Sequence, residues 1–358
     1  MKYSNLGNTN LKISKICLGT MTWGLQNSQS EAFEQMNYSL SQGVNFWDTA
    51  EMYAIPPTAE TYGTTETIIG NWFKETGKRN EIILATKFSP LPWARNEEIP
   101  TTNKKNIITA VENSLKRLKT DYIDLYQLHW PTNRPNYHFA GWWDFKPAFG
   151  LSAKKQIVDN KIEILQTFQD LVDAGKIRYI GLSDDSAWGI KQYADLSENL
   201  NLPRIVSIQN EYNLLRRRDE YDVAESCALE SVSYLAWSPL AMGVLSGKYL
   251  GKSFPNFPKN TRFSQEIMKD GWDRYQTRVE LNSENATKEY LEIAKKYNLD
   301  PCQMAIAFTL TKEWITSSII GATSMKQLQD DIAAIDLNLT KECLQEIDLI
   351  YKRYPVPF

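Results

Sequence analysis

The chain has 358 residues, of which 42% are hydrophobic, and its formal net charge is −3 at neutral pH. This length and apolar content allow one large α/β domain with a sizeable core. The slight acidic excess argues against nucleic-acid binding or a membrane-surface role, because both normally need a basic surface.

Strand-like and helix-like segments alternate along almost the whole chain. The polar start, residues 1–14, lacks the apolar core of an export signal, and no apolar run reaches the length of a membrane-spanning helix. Short runs rich in Ile, Val, Leu and Tyr then recur, as is typical of strands covered on both faces. The predicted strands are residues 14–20, 43–50, 81–87, 122–129, 177–183, 204–210, 231–238 and 317–323.

Amphipathic stretches separate these strands. Residues 106–121 have apolar side chains at helical spacing, and residues 161–176 end near Gly175, a suitable helix stop. Thr340 is a good N-cap for a closing helix near the end of the chain. The alternation predicts an α/β fold, a (β/α)8 TIM barrel formed as a single domain over residues 1–358. A doubly wound sheet is the alternative, but no GxGxxG follows an early strand.

Two long loops interrupt the pattern, after the fourth and the seventh strands. Both follow the carboxyl ends of strands, where a barrel builds its active-site rim. Residues 131–155 are rich in aromatic side chains, and we predict that Trp142, Trp143 and Phe145 shape substrate access. Packing of this loop against the barrel rim is the alternative. We assign no role to His138.

The four cysteines favour a cytoplasmic protein with reduced thiols. Cys17, Cys227, Cys302 and Cys343 are far apart, form no CxxC motif and have no histidine near them. With only two histidines in the chain, we predict no metal site.

Four residues carry the strongest chemical signal: Asp48, Tyr53, Lys87 and His129 lie at or just beyond the ends of predicted strands. A phenol has a pKa of about 10, and a nearby ammonium lowers that value. A carboxylate can hold the ammonium, and an imidazole can orient a carbonyl. Each residue alone also has an ordinary structural explanation, but a barrel brings all four to one mouth. The set predicts proton delivery to a carbonyl oxygen.

The segments around these residues resemble the active-site segments of the aldo-keto reductase family. The matching stretches are FWDTAEMYAIPP, ILATK and LYQLHWP. Further matches follow in the family's order: CLGTMTWG, GKIRYIGLS, SIQNEYNLL, AWSPLAMGVLSGKY and IIGATSMKQL. Within the family, residues 50–72 and the Trp-rich loop look most like the Tas-type bacterial reductases. The later motifs are similar to those of the potassium-channel β subunits.

The resemblance implies an NADP(H)-dependent reductase of a small aldehyde or ketone, with hydride passing from the nicotinamide. Tyr53 would protonate the oxygen, Lys87 would lower its pKa, Asp48 would hold Lys87, and His129 would steer the carbonyl.

The resemblance also implies a set of cofactor-binding residues. Ser183 and Gln209 would hold the carboxamide, and Trp237 would stack on the nicotinamide ring. Lys248 and Arg262 would face the pyrophosphate. A helix start near residue 325 would favour the 2′-phosphate. The full set is Gly19, Thr20, Met21, Asp48, Ser183, Asp184, Gln209, Trp237, Ser238, Pro239, Leu240, Ala241, Lys248, Arg262, Gly321, Thr323, Lys326, Gln327, Asp330 and Asp331.

Two departures from the family pattern affect the expected cofactor. Asp184 stands where the family often has Asn, so one carboxamide hydrogen bond is lost or reversed. Asp331 stands where the nearest relatives commonly have Asn, with Asp330 beside it where they have Glu. Its negative charge near the adenosine weakens the case for NADP over NAD, and Lys326 partly offsets it. We predict NADP.

A second hypothesis is an NADP-binding regulatory or redox-sensing subunit with little turnover. Channel-type relatives have lost the histidine that this chain keeps at His129, which favours the enzyme. Unrelated barrel chemistry would need its own constellation, and the sequence shows none. Neither the natural substrate nor the oligomeric state follows from the sequence.

Overall fold

A closed barrel of parallel strands forms the centre of the protein. The computed structural model describes residues 1–99, 101–132, 151–268 and 275–358. Its strands are β1 (Tyr3–Asn5), β2 (Lys12–Ser14), β3 (Ile16–Gly19), β4 (Phe46–Asp48), β5 (Ile83–Phe88), β6 (Ile123–Leu128), β7 (Ile177–Ser183), β8 (Ile205–Glu211), β9 (Ser233–Trp237) and β10 (Ile315–Ile320). The last eight close into the barrel in the order β10-β3-β4-β5-β6-β7-β8-β9. Each of them overlaps a predicted strand, so the predicted TIM barrel is confirmed.

Helices alternate with the barrel strands and cover them. They are α1 (Gln29–Ser41), α2 (Thr64–Thr76), α3 (Pro92–Arg95), α4 (Lys104–Leu118), α5 (Leu151–Asp173), α6 (Ala187–Leu200), α7 (Asp222–Glu230), α8 (Gln265–Met268), α9 (Leu281–Lys296), α10 (Pro301–Leu310), α11 (Met325–Ala333) and α12 (Lys341–Arg353). As predicted, α5 ends just before Gly175, whose φ is 70°. Thr340 caps the closing helix α12 by accepting a hydrogen bond from the Cys343 N–H. None of the helices in these ranges is both long and apolar enough to cross a membrane.

Successive side chains of each barrel strand alternate between two cores. In β5, Leu84 and Phe88 belong to the large core between barrel and helices, while Ala85 belongs to a smaller core that includes Phe46 and Leu125. This alternation follows from the two-residue period of a strand. It directs Lys87, two residues after Ala85, to the barrel interior.

A short hairpin, β1 with β2, precedes the barrel and was not predicted. The two strands pair antiparallel, from Tyr3 opposite Ser14 to Asn5 opposite Lys12. Leu6 and Ile13 belong to the same core as Phe46, the first residue of β4. The hairpin therefore closes the amino-terminal end of the barrel, opposite the carboxyl ends of the strands.

Long connections follow β6 and β9 as predicted, although residues 151–155 of the first predicted loop belong to α5. Of the first, residues 133–150 lie outside the described residues, and with them His138, Trp142, Trp143 and Phe145. We call residues 238–268 of the second loop the flap. It has an aromatic core of its own, in which the ring of Tyr249 lies 5.1 Å from Phe257 and 5.0 Å from Phe263.

All four cysteines are free thiols. Cys17, Cys227 and Cys343 are buried as expected, whereas Cys302 is partly exposed.

Candidate active site

Lys87 lies at the centre of the barrel mouth and is fully buried. Its ammonium donates to Asp48 Oδ2 at 2.5 Å, to the Thr49 carbonyl at 2.8 Å and to Tyr53 Oη at 3.4 Å. An ammonium has three N–H donors, so these acceptors satisfy all of them. The structure thus brings together three of the four predicted catalytic residues around one buried charge.

The second carboxylate oxygen of Asp48 is held by two amides. Gln209 Nε2 donates to Asp48 Oδ1 at 2.8 Å, and Gln127 Nε2 donates to the same atom at 3.2 Å. Gln127 was not predicted, although it lies two residues before His129 at an inward position of β6. Gln209 was predicted to hold the carboxamide, and in this structure its amide faces the carboxylate. Hydrogen bonds on both oxygens fix the orientation of Asp48 and so the position of Lys87.

Burial and the ion pair both shift the pKa values of Tyr53 and Lys87, and the sequence did not indicate the effect of burial. Burial raises the pKa of Tyr53 above its ordinary value, and the Lys87 ammonium only partly opposes that rise. Lys87 thus lowers the pKa of Tyr53 as expected, but the effect of burial is larger. Burial would lower the pKa of Lys87, but Asp48 and Tyr53 together raise it above its ordinary value. Tyr53 is thus a protonated phenol beside a permanent cation.

His129 lies beside Tyr53 and completes the predicted group of four. The two rings meet edge to face with their centroids 5.8 Å apart. Ser89 Oγ lies 2.7 Å from His129 Nδ1, and both residues are buried. Ser89 was not predicted. The available signal was its position two residues after Lys87, on the same side of the extended chain.

An apolar wall borders this group on one side. Ala50, Met52, Ile55 and Trp130 form a small buried cluster, against which Tyr53 also packs. Further side chains packed on the cluster are Met21, Tyr62 and Leu91. A few polar groups converging beside an apolar surface are typical of small-molecule sites. The arrangement can bind an apolar molecule and place a carbonyl oxygen between a phenol and an imidazole.

The predicted cofactor residues line the remaining strand ends. Gly19 ends β3 against β10, where a Cβ would come within 2.6 Å of the Ile320 carbonyl oxygen, so only glycine fits. Thr20 donates its hydroxyl to the Asp48 carbonyl at 2.9 Å. Ser183 ends β7 directly opposite Gln209 in β8. Thr20 and the pair predicted to hold the carboxamide thus lie next to Asp48.

Asp184, just after β7, contacts Trp237, the last residue of β9. Trp237 Nε1 donates to Asp184 Oδ1 at 3.3 Å, and the backbone of Asp184 is left-handed, with φ 50°. Burial raises the pKa of Asp184 to about 7, against the opposing effect of Arg216. The sequence suggested a carboxylate that can only accept hydrogen bonds. Near neutral pH a fraction of the group is protonated and can also donate.

The flap begins with tight turns over residues 238–242. Ala241 and Met242 have φ of 48° and 58°. Their N–H groups donate to the carbonyl and to the hydroxyl of Ser238, at 2.9 Å and 2.8 Å. These two N–H donors are therefore used inside the turn. Side chains are left as the main candidates for anion binding.

Two cations of the flap meet that requirement. Lys248 lies so close to the turn that a Cβ on Gly243 would be 2.7 Å from its Nζ, and burial lowers its pKa. Arg262 hydrogen-bonds Tyr275, but its buried Nε and Nη1 atoms have no partner among the described residues. Burial also lowers the pKa of Arg262, because the cation has lost water without gaining an anion. Buried unsatisfied guanidinium atoms fit a bound anion.

The segment predicted to bind adenosine follows β10. Helix α11 begins after the N-cap Ser324, and Gln327 Oε1 accepts from the Thr323 N–H at 2.8 Å, while Gly321 is exposed. Lys326, in the first turn of α11, pairs with Asp330 at 2.5 Å. Asp331 is buried, and burial together with Asp330 and Asp300 raises its pKa to about 7. Its negative charge is therefore only partial at neutral pH.

Comparison with known proteins finds similarity to aldo/keto reductases and other oxidoreductases over nearly the whole chain. The profile described as the aldo/keto reductase family matches residues 15–352. The chain is 40% identical to "Protein tas" of Escherichia coli K12, an alignment that covers 100% of this chain and 99% of the relative. It is 31% identical to "Uncharacterized oxidoreductase YrpG" of Bacillus subtilis, over 98% of this chain and 96% of the relative. It is 26% identical to "Versiconal hemiacetal acetate reductase" of Aspergillus parasiticus, over 98% of this chain and 97% of the relative.

Proposed function

The chain belongs to the aldo/keto reductase family, and on this premise we propose that it is an NADPH-dependent reductase of aldehydes or ketones. The observation that carries the proposal is the buried Lys87, bonded to Asp48 at 2.5 Å and to Tyr53 at 3.4 Å with the His129 ring alongside. An ammonium buried at such a position favours whatever negative charge forms on the phenol next to it. We further propose that residues 1–358 act as one barrel domain.

Each residue of the group has a distinct task in this proposal. When bound, the reduced nicotinamide supplies hydride to the carbonyl carbon. Tyr53 gives its proton to the carbonyl oxygen, and Lys87 stabilises the phenolate that remains. Asp48, oriented by Gln127 and Gln209, keeps the Lys87 ammonium in place. His129 donates a hydrogen bond that aligns the carbonyl oxygen with Tyr53.

The residues of the flap support a dinucleotide as the cofactor. Arg262 has unpartnered buried nitrogens, and Lys248 is a partly desolvated ammonium in the same loop. Both suit a pyrophosphate, which supplies several anionic oxygens. Trp237, at the end of β9, offers an aromatic face to the nicotinamide. We propose that these three residues, with Ser183 and Gln209, hold the cofactor.

NADP rather than NAD is the finer part of the proposal. The N-terminus of α11 and Lys326 favour an extra phosphate, while Asp331 opposes it when ionised. A pKa of about 7 for Asp331 reduces this opposition at neutral pH.

The test is NADPH oxidation by the purified protein with a reactive aromatic aldehyde. Tyr53→Phe should lower turnover about 10²- to 10⁴-fold, the usual contribution of a general acid, and leave the Kd for NADPH within about twofold. Tyr221→Phe removes the hydroxyl of an exposed tyrosine that contacts Tyr351 and serves as the matched control. Unchanged turnover in Tyr53→Phe would exclude Tyr53 as the acid. Tight NADPH binding without turnover would instead favour the regulatory or redox-sensing subunit.

A further inference from the structure

We propose that Ser89 is a positioning residue that determines which ring nitrogen of His129 carries the proton, and that the buried Glu51–Arg95 ion pair holds Ser89 in place. The structural part of this inference concerns His129 alone. Its consequence for catalysis rests on the proposed reductase function.

The Ser89 hydroxyl contacts the ring nitrogen of His129 whose protonation distinguishes the two neutral tautomers. Ser89 Oγ lies 2.7 Å from Nδ1 of the buried ring. A neutral imidazole has one donor and one acceptor nitrogen. When the hydroxyl donates to Nδ1, the ring proton is on Nε2, which then serves as an N–H donor. A carbonyl oxygen needs such a donor, whereas the other tautomer would present a lone pair to it and repel it.

The backbone of Ser89 is fixed on both sides by one ion pair. Glu51 Oε1 accepts from the Ser89 N–H at 2.7 Å, and Arg95 forms a salt bridge with the same oxygen. Arg95 also donates to the Ser89 carbonyl at 3.4 Å. Glu51 and the Arg95 side chain are 1% and 7% exposed. A buried, charge-assisted pair of this kind holds its partners in a single geometry.

The same pair connects Ser89 to the proton donor and to the lysine. Glu51 lies two residues before Tyr53, and its N–H donates to the Lys87 carbonyl at 3.2 Å. Burial raises the pKa of Glu51, and Arg95 opposes that rise. The segments that carry Tyr53, Lys87 and Ser89 are therefore joined around one carboxylate. The Glu51–Arg95 pair contacts only the backbone of Ser89. The Ser89 side chain therefore has a separate contact, to the imidazole of His129.

The hydroxyl can be removed without disturbing the ion pair, which separates the two roles. The chain has two histidines, so His138→Gln leaves one imidazole for ¹⁵N NMR, which reads the tautomer directly. In this background we expect His129 to be an Nε2–H tautomer with Ser89 or with Ser89→Thr. Ser89→Ala should give a mixture of both tautomers. An Nδ1–H tautomer in the parent, or an unchanged spectrum in Ser89→Ala, would overturn the proposal.

The ion pair has its own test by the same measurement. Arg95→Met should shift the tautomer ratio in the direction of Ser89→Ala although the hydroxyl is still present. Arg95→Lys retains a charge next to Glu51 and should stay close to the parent, which separates loss of positioning from general damage to the fold. If Arg95→Met left the ratio unchanged, Ser89 would act without the pair.

Kinetics extends the test to the reaction. Ser89→Ala should lower kcat about tenfold, as loss of an orienting partner commonly does, while Ser89→Thr should stay within about twofold. Ser207→Ala is the matched control, because Ser207 is also a fully buried serine and its hydroxyl has no partner among the residues that the structure describes. Absence of turnover in the parent enzyme would count against the proposed function, while the NMR result would still decide the tautomer. A wild-type kcat in Ser89→Ala with a changed tautomer would overturn the catalytic part alone.

Discussion

Around Lys87, at the ends of β4 and β5, buried charges are paired within the chain, whereas around Arg262, in the flap, they are not. Lys87 donates to three oxygens, and both oxygens of Asp48 accept hydrogen bonds. Two buried nitrogens of Arg262 have no partner in the part of the chain that the structure describes, and burial lowers the pKa of Arg262 and of Lys248. The two regions lie at the same barrel mouth, but the charges around Lys87 are paired within the chain, whereas Arg262 is without an anionic partner among the described residues.

This difference indicates that the region around Lys87 is suited to catalysis and the flap to cofactor binding. A pre-organised group needs no reorganisation when charge develops during a reaction, so it suits chemistry. A cation that lost water without gaining a partner regains interaction energy when an anion binds, so it suits recognition. Mutations should therefore separate the regions: losses around Lys87 should affect both stability and turnover, and losses in the flap should affect chiefly cofactor binding.

The largest expected effect is that of Lys87→Met. Removing the cation leaves Asp48 as an uncompensated buried charge, which typically costs about 3–5 kcal/mol of unfolding free energy. Turnover should fall about 10²-fold or more, because the phenolate of Tyr53 loses its counter-ion. Urea unfolding and steady-state kinetics measure the two effects.

The double variant Asp48→Asn/Lys87→Met sharpens this test. With both charges removed, most of the lost stability should return while turnover stays low. A double variant as unstable as Lys87→Met would mean that the lysine stabilises the barrel by packing rather than by pairing.

Arg262→Met should have the next largest effect, chiefly on binding, since its charge is only a minor influence on the pKa of Tyr53. Hydrogen bonds to charged groups are worth about 1.5–3 kcal/mol, so the Kd for NADPH should rise about 10- to 100-fold. The melting temperature of the ligand-free protein should stay the same or increase, since an unsatisfied buried cation is removed. Lys259→Met, which removes an exposed cation of the same flap, is the control and should change neither quantity. A clear drop in the melting temperature of Arg262→Met would contradict the contrast between the regions.

Asp331→Asn should have the smallest effect, and its size should depend on pH. Burial raises the pKa of Asp331 to about 7, so the group is mostly neutral at pH 6 and mostly charged at pH 8. Repulsion of the 2′-phosphate therefore grows as pH rises through 7, and the preference of the parent for NADPH over NADH should decline. Asparagine removes this charge, so the variant should exceed the parent about fivefold in that preference at pH 8 and hardly at all at pH 6. Fluorescence titration with each cofactor measures the ratio.

Asp336→Asn is the control for this prediction, because it removes an exposed carboxylate just beyond the same helix. The titration of the phosphate itself is common to all variants. An equal ratio for parent and Asp331→Asn at both pH values would place Asp331 away from the cofactor.

The residue pattern was sufficient for the barrel and for the four central residues. The barrel strands are short runs rich in Ile, Val, Leu and Tyr because most of their side chains are buried, and such runs are visible in one dimension. Asp48, Lys87 and His129 each end or follow a run of this kind, and the carboxyl ends of barrel strands always meet at one mouth. Family resemblance then added roles, and the match over residues 15–352 confirms that resemblance.

The partners of those residues depended on the tertiary structure. Gln209 and Asp48 are 161 positions apart, and Ser89 and His129 are 40 apart, so strand register alone decides that they touch. The hairpin β1 with β2 was missed because strands of three mostly polar residues leave no pattern. The direction of the Tyr53 pKa shift also needed coordinates, because it is the difference between burial and the Lys87 charge. Local patterns determine which chemical groups are present, while the balance between desolvation and pairing exists only once the barrel has closed around them.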